Sequence, residues 1–557
     1  MTHFQDQDQV FTDLRAKEAA ELAQILATRY GLPYVDLSRV ILDNSAVRLI
    51  PEALAREAKA VVYHLHQKSV QMAIQTPNNE KVSPLVEELT RQGYAVSLFI
   101  ASEFEIAKTW EMYKEVSYAK PEEAGIISVS HETMEHYVSL IKTIADVKAP
   151  VIQAAGAGDI HALSTVVEII LGGAIATGVS DVHIEPEKDT IRVRFRLDGV
   201  LQDVVELGHA EYKKILSRIK LLAGMKLNLT HEAQDGRFTI KIEGVDVEVR
   251  TSVLPSAYQE SVVMRILNPK SISVPLEELG MDEHMYKIIL DQIAKPNGLI
   301  LTTGPTGSGK TTTLYACLQK IRSPQIKIIT IEDPIEYHLE GVSQTQVDHS
   351  KNYDFHNGLR AAVRQDPDII MVGEIRDDET ASIAIDSALT GHLVFSTLHT
   401  NNAAGAIPRL IDLGVNPKII SSALNIAMAQ RLVRRLCLHC REAYTPEGEE
   451  KTVLEREFPE IKKYRPELEL PKTLYRPKGC EKCSFTGYRG RISVYEGILM
   501  DRAIELILRE NPSEREITEA ARPQGILNMR QDGIVKTIKG ITSLAEVEWV
   551  VGLGEVR

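Results

Sequence analysis

Apolar runs recur at regular intervals in the C-terminal half of the chain. Four of them have the length and composition of buried strands, and these are GLILTT, KIITIE, DIIMV and LVFSTL. From Asn297 onward such runs alternate with helical patterns. Strands that alternate with helices indicate a parallel sheet, so we predict an α/β domain over 273–557.

The preceding region, 159–272, shows a strict alternation of apolar and polar residues instead. TIRVRFRLDGVLQDVVEL and FTIKIEGVDVEV each contain two alternating segments around a turn, at Asp198-Gly199 and at Glu243-Gly244. Such turns between alternating segments predict β-hairpins. We therefore expect a domain rich in antiparallel strands here.

Two arginines stand out in the last two strands of that domain, VDVEVRTSVLP and ESVVMRIL. Arg250 alternates with valines and lies on the polar face of its strand. Arg265 shares a face with Val263 and Leu267, where a solvated face should hold polar residues. This pattern predicts a guanidinium on an otherwise apolar face.

The N-terminal region divides into three segments. Residues 17–118 mix helical and strand-like patterns, as in AAELAQILATRYGLPYVDL and AVVYHLHQKSVQMAIQ, and we expect a small α/β domain there. Residues 1–16 form a polar tail. The segment 119–158 contains the weakly patterned VKAPVIQAAGAGD, and we predict a linker.

Length and charge limit the class of protein. A chain of 557 residues is too long for one core. A net charge of -13 argues against general nucleic-acid binding, which needs a basic surface. The longest apolar stretch, VVEIILGGAIATGV, is interrupted by Glu168 and its glycines, and the N-terminus lacks the pattern of a signal peptide. We expect a cytoplasmic protein without a transmembrane segment.

Four of the five cysteines form two C-x-x-C pairs, CLHC and CEKC. Paired knuckles in a reducing compartment favour a structural zinc site, since soft thiolates prefer that metal. A redox pair or four unrelated buried thiols are the alternatives. The predicted ligands are Cys437, Cys440, Cys480 and Cys483.

The segment GLILTTGPTGSGKTTTLY carries the full G-x-x-x-x-G-K-T signature between a strand and a helix. In this context the loop N–H groups and the helix N-terminus bind phosphate, Lys310 reaches the outer phosphates and Thr311 ligates Mg²⁺. The predicted nucleotide-binding residues are Gly304, Pro305, Thr306, Gly307, Ser308, Gly309, Lys310, Thr311 and Thr312.

Acids and histidines follow the other predicted strands. Glu332 ends one strand, Glu374 follows DIIMV, and LVFSTL lies between His392 and His399. Ligands of open α/β sheets bind at the carboxyl ends of the strands, which makes Glu332, Glu374 and His399 candidate site residues. His392 precedes its strand, so a structural role is as well supported as a functional one.

These motifs resemble those of the type II secretion and type IV pilus assembly ATPases. GPTGSGKTTTLY, TIEDPIEY, LRAAVRQDPDIIMVGEIRD and TGHLVFSTLHTNNA are similar to that family's Walker A, Asp box, Walker B and His box. SDVHIEP, RFRLDG, GCEKCSFTGYRGRISVYE and LATRYGLPYVDL match its other domains. The resemblance implies a RecA-like P-loop domain with a zinc subdomain over 434–495, preceded by two N-terminal domains.

The resemblance also implies roles and partners. Arg250 and Arg265 correspond to arginine fingers, Glu374 and Glu332 act on water, and His399 senses the γ-phosphate. A buried pair with a nearby carboxylate, such as Glu260, is the alternative for the arginines, and Gln259 departs from the family's usual glycine. ATP, Mg²⁺ and Zn²⁺ are the implied cofactors. The implied partners are five further copies, an inner-membrane platform protein and a cytoplasmic adaptor that contacts the N-terminal domain.

Two other classes of protein share parts of this pattern. A nucleic-acid motor would use the same P-loop core, but it predicts basic channel loops. A non-catalytic scaffold would be expected to lack Lys310 or Glu374, and both are present. Some relatives bind cyclic di-GMP through a repeated motif in the first domain, which we do not find here. The sequence does not separate secretion from pilus assembly.

Overall fold

A computed structural model describes residues 18–552, except 39, 41–43, 48, 67, 92, 111–130, 157–159, 243, 270–273 and 510. The polar tail predicted over 1–16 lies outside the described residues. The chain divides into two compact units, Met1–Glu122 and Glu123–Arg557. Within the described ranges, no helix is long and apolar enough to cross a membrane.

The first unit is a small α/β fold around a three-stranded sheet. Its strands are β1 (Ala60–His66), β2 (Ser69–Ile74) and β3 (Ala95–Ile100). β2 lies in the middle, antiparallel to β1 and parallel to β3. The helices cover residues 18–30, Asn44–Val47, Glu52–Ala58, Val82–Arg91 and Glu103–Thr109. Helix Val82–Arg91 packs through Val82, Leu85 and Leu89, which share one face because they are spaced by three and four residues.

The second unit begins with a six-stranded antiparallel sheet. Its strands are β4 (Asp181–Pro186), β5 (Ile191–Leu197), β6 (Val200–Leu207), β7 (Gln234–Ile242), β8 (Val245–Pro255) and β9 (Glu260–Leu267). Their order is β6-β5-β4-β9-β8-β7. β5 pairs antiparallel with β6, and β7 with β8, as the hairpins predicted at Asp198-Gly199 and Glu243-Gly244 require. Glu243 itself lies outside the described residues. The helices that accompany this sheet are His131–Leu140, Lys148–Gly156, Ile160–Ala176 and His209–Leu222, with a 3-10 turn at Ile144–Val147.

The structure differs from the linker that we predicted over 119–158. Residues 131–156 form two helices and a 3-10 turn. Ile141, Ile144, Val147 and Val151 recur every three or four residues and are buried in the core beneath the six-stranded sheet. The alanines and glycine of this segment resemble a loop in composition, but its apolar spacing is helical.

A seven-stranded sheet forms the centre of the remaining chain. Its strands are β10 (Gly298–Thr303), β11 (Ile328–Glu332), β12 (Ser343–Gln346), β13 (Ile369–Val372), β14 (Leu393–Leu398), β15 (Leu424–Leu436) and β18 (Tyr488–Leu499). The order is β12-β11-β13-β14-β10-β15-β18, and β15 and β18 alone within this sheet pair antiparallel. The predicted parallel sheet is thereby confirmed. β10, β13 and β14 are buried throughout, as expected for strands covered on both faces.

Helices cover both faces of this sheet and extend beyond it. They are Glu283–Ile293, Lys310–Ile321, Phe355–Val363, Asp378–Leu389, Ala406–Asp412, Pro417–Ala423, Gly448–Tyr464, Arg502–Leu508, Glu514–Ala521, Met529–Ile538 and Leu544–Val551. Between β15 and β18 the chain forms a two-stranded ribbon of β16 (Glu442–Tyr444) and β17 (Leu474–Arg476). This excursion separates the two cysteine pairs.

Candidate functional site

The P-loop connects β10 to helix Lys310–Ile321 at the carboxyl edge of the seven-stranded sheet. Gly304 and Gly309 have φ angles of 145° and 91°, which L side chains rarely adopt. A Cβ on Gly304 would lie 2.8 Å from the backbone oxygen of Gln430, and one on Gly309 would lie 2.9 Å from the side-chain nitrogen of Gln430. Both glycines are therefore required by backbone angle, and Gly304 is also required by its close approach to the backbone of Gln430.

The start of the helix presents backbone donors that have no hydrogen-bond partner within the described ranges. The first intrahelical bond joins the N–H of Thr313 to the oxygen of Gly309, so the N–H groups of Lys310, Thr311 and Thr312 precede it. Lys310 Nζ donates to the carbonyl oxygens of Gly304 at 2.8 Å and Pro305 at 3.1 Å. Burial lowers the pKa of Lys310, and the nearby Glu374 carboxylate opposes that shift. This arrangement of donors fits a polyphosphate.

A carboxylate and an imidazole meet at the ends of β13 and β14, on the same edge of the sheet. Glu374 Oε2 lies 3.1 Å from His399 Nε2, and the other carboxylate oxygen pairs with Arg376. The Glu374 side chain is 15% exposed and the His399 side chain is 52% exposed. The carboxylate is thus held by two neighbours while one side stays open to solvent, a geometry that can orient a water molecule.

Glu332 is buried at the end of β11. Its carboxylate accepts hydrogen bonds from Tyr315, from Thr330 Oγ1 at 2.5 Å and from Gln344 Nε2 at 3.0 Å. Burial raises the pKa of Glu332, although the three donors oppose the shift. All of these contacts are structural, so the assisting role predicted for Glu332 remains a prediction.

Arg250 extends from β8 of the six-stranded sheet to the segment that follows β11. Its guanidinium donates to the backbone oxygen of Ile335 at 2.5 Å and to Glu336 Oε2 at 3.1 Å. It also pairs with Glu248 of its own strand at 3.2 Å. Arg250 therefore links the antiparallel sheet to the edge of the parallel sheet that carries the P-loop.

Arg265 lies directly opposite Arg250 in the β8–β9 ladder. Its side chain is 57% exposed, and Nε is 3.0 Å from Asp181 Oδ1. The apolar face that we expected around it is instead the partly exposed face of the sheet, where Val263 is half-buried. Two like charges directly opposite each other are unfavourable in a sheet unless an anion offsets them.

Glu260 is not the carboxylate partner of either arginine. Arg250 pairs with Glu248 and Glu336, and Arg265 pairs with Asp181. Glu260 is buried on the other face of β9, where its Oε1 lies 2.5 Å from Lys220 Nζ. Glu260 and Arg265 are an odd number of residues apart, which places them on opposite faces of one strand.

His392 lies at the amino end of β14, at the opposite edge of the sheet from His399. Its Nδ1 is 3.1 Å from the carbonyl oxygen of Ser387, at the end of the preceding helix. The structure therefore does not bring His392 together with the P-loop residues, and it gives His392 a local structural contact.

The sequence patterns missed two residues that flank the P-loop, Gln430 and Arg431. Gln430 Nε2 donates to the backbone oxygen of Ser308 at 2.8 Å. Arg431 Nη1 donates to the oxygen of Gln430 at 3.0 Å, and Nη2 donates to the oxygen of Asn401 at 2.9 Å. No motif marks AQRLVRRL; the pairing of β15 with β10 brings these residues to the site.

The four predicted zinc ligands converge at the end of β15. Three Sγ···Sγ distances are 3.9, 3.8 and 3.8 Å, and all four sulfurs lie within 4.8 Å of one another. A tetrahedral site with Zn–S bonds of about 2.3 Å requires sulfurs about 3.8 Å apart. Burial raises the pKa of the Cys483 thiol, but N–H donors from Cys480 and Gly487 outweigh it and bring the pKa to about 7. This geometry fits one structural zinc ion.

Comparison with known proteins identifies the family. The model of the type II/IV secretion system protein family matches residues 157–549, and the MshEN domain model matches residues 30–119. Type II secretion system protein E of Pseudomonas aeruginosa is 45% identical over 381 residues, which cover 68% of this chain and 74% of that protein. The type IV pilus assembly ATPase TfpB of Acinetobacter baylyi is 35% identical over 556 residues, covering 99% of this chain and 92% of that protein.

Solved structures agree on the fold. The ATPase DotB of Legionella pneumophila matches with a TM-score of 0.50 at 21% identity, covering 69% of this chain and 94% of that one. DotB of Yersinia pseudotuberculosis matches with a TM-score of 0.51 at 19% identity, covering 70% and 93%. None of these names supports a nucleic-acid motor. The chain therefore belongs to the type II/IV secretion system protein family and is a secretion or pilus assembly ATPase.

Proposed function

We propose that this chain hydrolyses ATP at the edge of the seven-stranded sheet and that the reaction moves the antiparallel sheet against it. One observation carries the proposal. Lys310, Glu374 and His399 lie at one edge of the parallel sheet, and Arg250 reaches that edge from the other domain. When a ligand contacts two domains, its conversion to product changes the position of one domain relative to the other, and a motor requires such a motion.

Nucleotide binding is assigned to the loop 304–312. The backbone N–H groups at the helix start and Lys310 Nζ bind the phosphates, and Lys310 must exchange its bonds to Gly304 and Pro305 for them. Thr311 would hold Mg²⁺, and the bound ion would neutralise part of the phosphate charge. Ser308 Oγ is a buried polar atom without a partner among the described residues, which supports a bound ligand near the loop.

Catalysis is assigned to residues at the strand ends. Glu374 orients and activates the attacking water, and His399 holds its carboxylate and senses the γ-phosphate. Arg250 and Arg265 stabilise the charge that develops on the transferred phosphoryl group. Glu332 assists Glu374 in acting on the water from its position at the end of β11.

The wider assignment rests on the relatives. The names of those relatives support a role in a type II secretion system or in type IV pilus assembly. We assign a homohexamer at the cytoplasmic face of the inner membrane. Its motion is passed to a platform protein that assembles pilin or pseudopilin subunits, and residues 17–118 contact a cytoplasmic adaptor.

Substitution of Lys310 by alanine tests the binding site. The variant should lose affinity for ATP, because it removes the positive side chain at the phosphates. Lys320→Ala is the matched control, since Lys320 lies on the same helix and pairs with Glu277 at its surface. Affinity is measured by calorimetry on the full chain with Mg²⁺ and a non-hydrolysable ATP analogue. Equal affinity in the two variants would overturn the assignment.

A further inference from the structure

Gln430 is a buried polar residue next to the P-loop. It lies in β15, which runs parallel to β10 with Ala429 beside Thr303, so Gln430 is level with Gly304, the first glycine of the P-loop. The side chain is fully buried. A buried amide is unfavourable unless its hydrogen-bonding groups are used.

The amide uses one of its two ends. Nε2 donates to the backbone oxygen of Ser308 at 2.8 Å. The peptide unit is planar and trans, so the oxygen of Ser308 and the N–H of Gly309 point in opposite directions. The bond to Gln430 therefore turns the N–H of Gly309 away from β15, together with the free N–H groups at the helix start.

The other end is unused. Among the described residues, Oε1 of Gln430 is buried without a hydrogen-bond partner. Methionine would fill nearly the same volume without an unpaired carbonyl. If residue 430 only filled space in the core, an apolar side chain would be more stable there. An amide is favoured only if the hydrogen bond that it donates to Ser308 is needed.

We propose that Gln430 is a positioning residue of the P-loop, which holds the Ser308–Gly309 peptide in the orientation that presents the Gly309 N–H to a phosphate group. The inference rests on the proposed function of the loop. Gln430 makes no contact with the phosphates itself. It acts before binding, by removing the need for the peptide to reorient when nucleotide arrives.

Gln430→Met tests this role in the full chain. Loss of one orienting hydrogen bond should raise the Kd for a non-hydrolysable ATP analogue with Mg²⁺ roughly five- to tenfold. The Tm without nucleotide should not fall, because the unpaired Oε1 is removed as well. If the methionine variant fails to fold, Gln430→Glu carries the test. It keeps the shape but places an oxygen against the oxygen of Ser308, and should weaken binding further.

Gln292→Met is the matched control. Gln292 is another buried glutamine, and it lies in helix Glu283–Ile293. In the part of the chain that the structure describes, its Oε1 also has no hydrogen-bond partner. The Kd of the Gln292→Met variant for the ATP analogue should match that of the parent. A parental Kd in the folded Gln430 variants, or a lower Tm with parental Kd, would overturn the inference. Lys310→Ala distinguishes failure of this inference from failure of the proposed function. If Lys310→Ala loses affinity for the nucleotide while Gln430→Met keeps it, only the role of Gln430 fails. If Lys310→Ala binds the nucleotide normally, the proposed function fails.

Discussion

Removing Arg250 or Arg265 should stop turnover while leaving the fold intact. The carboxylates that Arg250 contacts, Glu336 and Glu248, have side chains 35% and 32% exposed. They stay hydrated when the arginine is removed, so Arg250→Ala should cost about 1 kcal/mol of stability or less. An orphaned buried carboxylate would instead cost roughly 3–5 kcal/mol.

Arg265→Ala should also leave the fold stable, for a different reason. Its partner Asp181 is largely buried, but the carboxylate keeps Arg196 at 3.5 Å and the hydroxyl of Ser180 at 2.8 Å. The shift in Tm of either variant should therefore be about 2 °C or less. Turnover should fall about a hundredfold or more, because each guanidinium meets charge that develops in the transition state.

The assay measures Tm and steady-state phosphate release on the same preparations. Arg194→Ala is the control, since it removes a guanidinium from the same face of the same sheet and breaks an ion pair with Glu185. It should keep parental turnover. Arginine variants that melt several degrees early, yet hydrolyse ATP at the parental rate once folded, would refute the reasoning and make Arg250 and Arg265 structural.

Two further predictions concern the zinc site and Glu332. Metal analysis should give about one zinc per chain. Cys480→Ser should lower both the zinc content and the Tm, because the four thiolates form one closed site. A folded, reduced preparation without metal would reject the zinc site. Burial raises the pKa of Glu332 above its usual value of 4.5, so the protein loses stability as the pH rises from 4.5 through the raised pKa. In urea unfolding, Glu332→Gln should therefore gain stability relative to the parent as the pH rises above 4.5. A difference in stability that does not change with pH would contradict the raised pKa of the buried carboxylate.

Elements with strong local signals were predictable from the sequence. β10, β13 and β14 read as buried strands because both of their faces are covered, and the turn at Asp198-Gly199 specified its hairpin. The P-loop was predictable because phosphate binding demands its residues in consecutive order. Glu374 and His399 followed from the rule that ligands bind at strand ends, and the structure places them 3.1 Å apart.

The features that were missed depend on contacts between distant segments. Gln430 and Arg431 lie beside the P-loop because β15 pairs with β10, and no local pattern specifies that neighbour. The helices over 131–156 bury their apolar residues against a sheet whose strands come later in the chain, so the segment alone does not show what those residues pack against. The exposure of Arg265 follows from its neighbours in β4 and β8, whereas the nearest residues on that face of its own strand, Val263 and Leu267, are apolar.

Phosphate release by Glu374→Gln tests the central assignment most directly. The substitution keeps the shape of the side chain beside His399 but removes the charge that acts on water. We predict that the full chain binds ATP and Mg²⁺ with parental affinity and releases phosphate about a hundredfold more slowly or worse. A variant that turns over ATP at the parental rate, or one that loses binding as completely as Lys310→Ala, would contradict the account.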